Sequence, residues 1–210
     1  TNGPDKRGGV RMAAVYRAYG HLLGDARVRA YLVCGGLIYA AMFAYITSAP
    51  FVYIQIFNVD PQYFGFYFGL NVVGMLIGNY LNGRLVTRLG YRRMLGLGAG
   101  VALVSTLALL GFALAGFGGL AAIVAMLFFA VGTVGIVGAN TVAGLLDLYP
   151  RNAGAASALF GVFQYGLGAA AGAVVGALYS GTPVAMAVVM AAAAAGAFAA
   201  YKRLASLATY

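Results

Sequence analysis

The sequence predicts an all-α membrane protein of six transmembrane helices, on three observations. First, the chain is 63% hydrophobic and only 8% charged over 210 residues. A water-soluble domain carries about 25% charged residues, because its surface must face water. Second, six apolar stretches succeed one another, each long enough to cross roughly 30 Å of hydrocarbon at about 1.5 Å per helical residue. Third, all 13 Lys and Arg residues fall on one side of a six-span arrangement, the cytoplasmic side under the positive-inside rule.

Residues 1–29 are polar and basic, with Gly3, Pro4, Gly8 and Gly9, and read as a loop and an amphipathic arm. The first span covers 30–57 and contains Pro50, which removes a backbone hydrogen bond and should kink the helix. Asn58-Val59-Asp60-Pro61 ends it, and Pro61 suits the first turn of the second span, 63–86. The third span, 94–115, follows the basic stretch Arg88 to Arg93. Gly116-Phe117-Gly118-Gly119 leads into the fourth, 120–146. Tyr149-Pro150-Arg151-Asn152 separates that from the fifth, 154–179. Ser180-Gly181-Thr182-Pro183 opens the sixth, 183–201. The expected organisation is an arm (1–29), a six-helix transmembrane domain (30–201) and a tail (202–210).

The charges fix the topology. Lys6, Arg7, Arg11, Arg17, Arg27 and Arg29 precede the first span. Arg84, Arg88, Arg92 and Arg93 surround the second connection, Arg151 lies in the fourth, and Lys202 and Arg203 follow the last span. The other three connections carry none, so both termini are expected in the cytoplasm. A net charge of +9 could suit nucleic acid, but short clusters between apolar runs form no continuous basic patch, and no nucleic-acid partner is expected. The single cysteine, Cys34, excludes an internal disulfide. His21 lies in the arm with no Cys or Glu beside it, so no metal site is expected. An intramembrane serine hydrolase needs a Ser–His pair; Ser157 has no such partner, and no enzyme is expected. The start at Thr1-Asn2-Gly3, with neither an initiator Met nor a signal peptide, reads as a piece of a longer chain.

The spans differ in kind. The third has only Ser105 and Thr106 as polar side chains, and the sixth is almost pure Ala, Val, Met and Gly; such helices can face lipid without desolvating polar groups. The other four carry polar or small residues at helical spacing: Tyr39, Phe43, Thr47 and Pro50 in the first; Asn71, Gly74, Gly78 and Asn82 in the second; Thr133, Asn140, Thr141 and Gly144 in the fourth; Ser157, Gly161, Gln164, Gly168 and Gly172 in the fifth. An amide facing lipid lacks partners, so these faces turn inward or line a wet cavity. The residues expected to line a substrate cavity are Tyr39, Phe43, Asn71, Asn140, Gln164 and Tyr165. The bland alternative is helix packing, in which Asn and Gln join helices and Gly lets backbones approach.

Gly83-Arg84-Leu85-Val86-Thr87-Arg88-Leu89-Gly90-Tyr91-Arg92-Arg93 resembles the loop signature of the major facilitator superfamily, Gly-x-x-x-Asp-Arg-x-Gly-Arg-Arg. Gly83, Arg88, Gly90, Arg92 and Arg93 fit it; Thr87 stands where Asp is usual, and Tyr91 adds a residue. Such degeneracy is common in the second half of these proteins. Ser48-Ala49-Pro50-Phe51-Val52-Tyr53-Ile54, Pro61-Gln62-Tyr63-Phe64-Gly65 and Phe68-Gly69-Leu70-Asn71 look like the seventh and eighth helices of the Bcr/CflA drug-efflux family. Ala153-Gly154-Ala155-Ala156-Ser157-Ala158-Leu159, with Gly161 and Gln164, is similar to the start of the eleventh.

The resemblance implies the C-terminal half of the twelve-helix major facilitator fold, with residues 1–29 as part of the central cytoplasmic loop. It implies proton-coupled efflux of drugs or small amphipathic metabolites by alternating access, in a bacterial inner membrane. The implied partners are the lipid bilayer, a small-molecule substrate and the missing N-terminal six-helix half. It also implies a proton gradient as energy source, and no cofactor is expected. The arginines Arg84, Arg88, Arg92 and Arg93 read either as topology anchors or, with the signature glycines, as a cytoplasmic gate that clamps helix ends. The chain has no Glu, and Asp5, Asp25, Asp60 and Asp147 lie in loops or at a helix end, so the coupling carboxylate is expected in the other half. The rival reading is a six-helix channel or membrane scaffold that acts as an oligomer.

Overall fold

Asp25 starts the first helix. Its carboxylate accepts the backbone N–H of Arg27 at 2.8 Å, which caps α1 (Ala26–Pro50). The structure, a computed structural model, describes residues 19–207. Asp60 caps α2 (Pro61–Leu89) in the same way, accepting from the Gln62 N–H at 3.1 Å, with Pro61 at the first helical position. Then come α3 (Tyr91–Ala115), α4 (Gly119–Leu148), α5 (Ala153–Ala177), reached through a 3-10 turn at Pro150–Asn152, and α6 (Val184–Leu207). Among the described residues there is no strand, and six helical spans are long and apolar enough to cross a membrane.

The helices overreach the expected 30–201 by about a turn at each end. The Asp25 cap sets the start of α1, and Lys202 and Arg203 continue α6. Residues 19–24 of the arm are helical too, while 1–18 of the arm and 208–210 of the tail lie outside the described residues.

Pro50 does not end its helix. Having no N–H, it cannot close the α-helical ladder, and the next six residues, Phe51–Ile56, wind as a π-helix. The Phe57 N–H reaches back five residues to the Val52 carbonyl, 3.1 Å away. The expected kink thus takes the form of a wider turn, which changes the direction in which later side chains point.

The helices form two rows. The front row runs α2, α4, α1, α5; α3 packs behind α4 and α6 behind α1, with α3 and α6 in contact. The pattern repeats when α1, α2, α3 are exchanged for α4, α5, α6: α5 packs on α1 as α2 packs on α4, and α6 on α1 as α3 on α4. Three helices per repeat give the two repeats opposite directions through the bilayer. α6 is about as buried as α4, because its Ala-rich surface lets neighbours approach closely. The most exposed helix is α2, whose only buried residues are Asn71, Gly74, Gly78 and Asn82.

Candidate functional site

Glycines set how close α1 and α5 come. A Cβ added at Gly168 would lie 2.5 Å from the Phe43 ring, and one at Gly35 would lie 2.6 Å from Phe160. At that spacing Tyr39 meets Phe160 edge-on with centroids 6.0 Å apart, and Phe43 meets Tyr165 edge-on at 6.1 Å. The Tyr165 side chain is 63% exposed. Gln164 is half-buried, and its amide makes no hydrogen bond to a described residue. Tyr39, Phe43, Gln164 and Tyr165 therefore gather along one seam of the front row. The seam offers aromatic faces, phenol hydroxyls and a free amide but no charge, a surface that can stack on a flat apolar molecule and hydrogen-bond its polar edge.

Asn71 and Asn140 lie elsewhere, enclosed between helices and each 1% exposed. The Asn71 Nδ2 donates to the Tyr45 hydroxyl at 2.8 Å, the Tyr53 hydroxyl at 3.1 Å and the Tyr67 carbonyl at 3.2 Å. A carbonyl can only accept, so Tyr67 fixes which way the amide points. The Asn140 Nδ2 donates to the Asn82 Oδ1 at 2.6 Å and to the Ile136 carbonyl at 2.7 Å. Each asparagine thus bonds one carbonyl four residues back on its own helix and one or two side chains across an interface. Asn71 joins α2 to α1 and its π turn; Asn140 joins α4 to α2. In this structure neither amide reaches the α1–α5 seam.

The connection from α2 to α3 is the single residue Gly90, at φ 78 and ψ 153. That conformation is essentially restricted to glycine. It turns the chain so that the Tyr91 hydroxyl donates to Asp147 Oδ2 at 2.7 Å, tying the start of α3 to the end of α4. Arg92 lies over the Tyr91 ring at 5.8 Å. A matching tie holds α1: the Tyr149 hydroxyl donates to Asp25 Oδ2 at 3.1 Å, and Arg27 pairs with the same carboxylate at 3.0 Å. Gly83 is exposed with open space around it. Arg88 and Arg93 are exposed, and their guanidinium groups have no partner among the described residues.

The family model of the Major Facilitator Superfamily matches residues 31–207. The chain belongs to this superfamily. It is 29% identical over 186 residues to a bicyclomycin resistance protein homolog of Haemophilus influenzae, a match covering 89% of this chain and 46% of that protein. It is 31% identical over 160 residues to the uncharacterized MFS-type transporter YdgK of Bacillus subtilis, covering 76% of this chain and 40% of that one. The chain therefore spans less than half the length of these curated relatives. Members of the superfamily are transporters, not enzymes.

For this member of the major facilitator superfamily, two features lay outside what the residue pattern offered. One is the node of Tyr45, Tyr53 and Asn71. Eight residues of α-helix set two side chains about 80° apart; a turn that absorbs one residue cuts this to about 20°. Only the π-helix after Pro50 brings both hydroxyls to one amide. The other is a groove of about 610 Å³ between α2 and α4, lined by Tyr67, Leu70, Val124, Phe128 and Phe129 among others. Its apolar lining has the same sequence signature as a lipid-facing surface. The two Tyr–Asp ties did have a signal, since Asp25 and Asp147 stand at helix ends, Tyr149 in a connection and Tyr91 at the first residue of α3.

Proposed function

We propose that this chain is the second six-helix half of a transporter that exports drugs or small amphipathic metabolites by alternating access. The observation that carries this reading is the neutral aromatic seam of Tyr39, Phe43, Gln164 and Tyr165 on the front row, in a chain of this superfamily. Its mixture of ring faces and few polar groups suits bulky, partly apolar ligands. The resistance named in the Haemophilus relative fits the same substrate class. The missing half covers the front row, including the apolar face of α2, where Phe66 is 78% and Leu76 60% exposed. Asn71 and Asn140 serve the site by holding α2 against α1 and α4.

Residues 1–29 then belong to the central loop, 30–201 to the transmembrane half and 202–210 to the tail. The basic end faces the cytoplasm of a bacterium, with both termini on that side of the inner membrane. The three described acids, Asp25, Asp60 and Asp147, cap helices or lie at a helix end, so proton coupling falls to a carboxylate of the other half. The test is drug accumulation in cells expressing the protein at its full natural length, with and without an uncoupler. Lower accumulation that the uncoupler restores is the expected result. Export by residues 1–210 alone would sink the half-transporter reading.

A further inference from the structure

At the basic end, α1 and α6 leave a groove of about 380 Å³. Arg29 and Arg203 stand at its mouth, and Ala26, Val33, Gly196 and Ala199 form its floor. The floor is low because the side chains are small: a Cβ added at Gly196 would come within 2.8 Å of Leu37. Val33 lies one turn into the bilayer from Arg29, as Ala199 does from Arg203, so each arginine heads an apolar strip on its own helix.

The two arginines are differently prepared. The Arg29 Nη1 donates to the Leu23 carbonyl at 2.6 Å and the Gly24 carbonyl at 2.9 Å. This pins the guanidinium and leaves its Nε and Nη2 donors without a partner among the described residues. The exposed Arg203 guanidinium has no partner among the described residues. Among the described residues no carboxylate lines the groove. The acid nearest in sequence, Asp25, is bound to Arg27 and Tyr149. Two cations with no counter-charge among the described residues thus sit at the membrane–water boundary, above an apolar trough.

We propose that this groove binds an anionic phospholipid. The phosphodiester lies between Arg29 and Arg203, where guanidinium donors match its oxygens, and the upper part of one acyl chain lies along Val33, Gly196 and Ala199. Basic pockets between transmembrane helices recognise anionic headgroups in this way. A free phosphate would use the arginines and leave the trough empty. Because α6 is in the back row, the groove opens to the bilayer, away from the α1–α5 seam, and the site is independent of the transported substrate.

The experiment is native mass spectrometry of the protein at its full natural length in detergent. It is titrated with phosphatidylglycerol and phosphatidylcholine, and with glycerol 3-phosphate as competitor. Phosphatidylglycerol should bind at least about tenfold more tightly than phosphatidylcholine, equivalent to about 1.4 kcal/mol. The double variant Arg29→Gln/Arg203→Gln should lose that preference. Ala199→Leu, which keeps both charges but fills the trough, should weaken phosphatidylglycerol as well. If the Arg29 change disturbs the start of α1, Arg203→Gln alone gives the readout, since its guanidinium bonds no described residue. Equal binding of the two lipids by the parent, or an undiminished preference in the arginine variants, would overturn the proposal. So would displacement of phosphatidylglycerol by glycerol 3-phosphate at equal concentration, which would mark a plain anion site.

Discussion

One amide nitrogen, Asn71 Nδ2, joins α2 to both the α-helical and the π-helical part of the first span. Replacing it with Leu would remove the donor shared by the Tyr45 and Tyr53 hydroxyls and leave those two only each other as partners, at about 0.5–1.5 kcal/mol per lost hydrogen bond. Asn71→Leu should therefore lower the melting temperature of the purified protein; an unchanged melting curve would count against the clamp. That Asn71 and Asn140 turn away from lipid was legible from the cost of an unpaired amide. Whether each holds helices or faces a ligand was not, because that depends on which residues oppose them. A second residue-scale prediction concerns Asp25. Burial disfavours its charged form, but hydrogen bonds from the Arg27 side chain and backbone and from the Tyr149 hydroxyl outweigh that and hold the carboxyl below its ordinary 3.8. A depressed carboxyl contributes stability that is complete above its unfolded pKa and is lost as pH falls through the folded one. Asp25→Asn should melt below the parent near neutral pH, and the gap should close as pH drops beneath 3.8.

Among the elements, α2 is the one most fully legible in the sequence. Asn71, Gly74, Gly78 and Asn82 share a face by helical period, and they are the whole of its buried surface. The physical reason is contact between backbones: a Cβ on Gly78 would collide with the Gly132 carbonyl of α4. Gly78→Ala should cost about 1–3 kcal/mol of stability through overpacking. Gly83→Ala, with nothing within 4 Å, should stay within about 0.5 kcal/mol of the parent. Comparable melting of the two variants would show that α2 and α4 do not meet as described. The first span was legible over its whole length, but its winding only to Pro50. The local pattern signals a missing hydrogen bond there, but a kinked α-helix and a π turn both answer it, and tertiary partners such as Asn71 decide between them.

At the scale of the whole molecule, the front row has an open side that no described residue covers. Arg88, on the last turn of α2, is exposed, and its guanidinium has no partner among the described residues. If it clamps the other half, Arg88→Ala should insert and accumulate normally yet transport roughly ten- to a hundredfold more slowly, the scale of one charge-assisted hydrogen bond. Parent-like transport would leave it a topology anchor only. The row order could not be read from the sequence, which gives faces but not neighbours; the 3+3 inverted repeat, an arrangement known in this superfamily, becomes visible only once contacts are known. Gly90 has a consequence at this scale too. At the basic end, α2 passes to α3 through that one residue, and α4 to the helical turn before α5 through Tyr149 alone. At the far end the connections are 57–60, 116–118 and 178–183. A helix pair joined by one residue has no slack, so a tilt of one member drags the other. Short links at the basic end and longer ones at the far end, where the π turn lies, leave the half-bundle more freedom to splay at the far end than at the basic one.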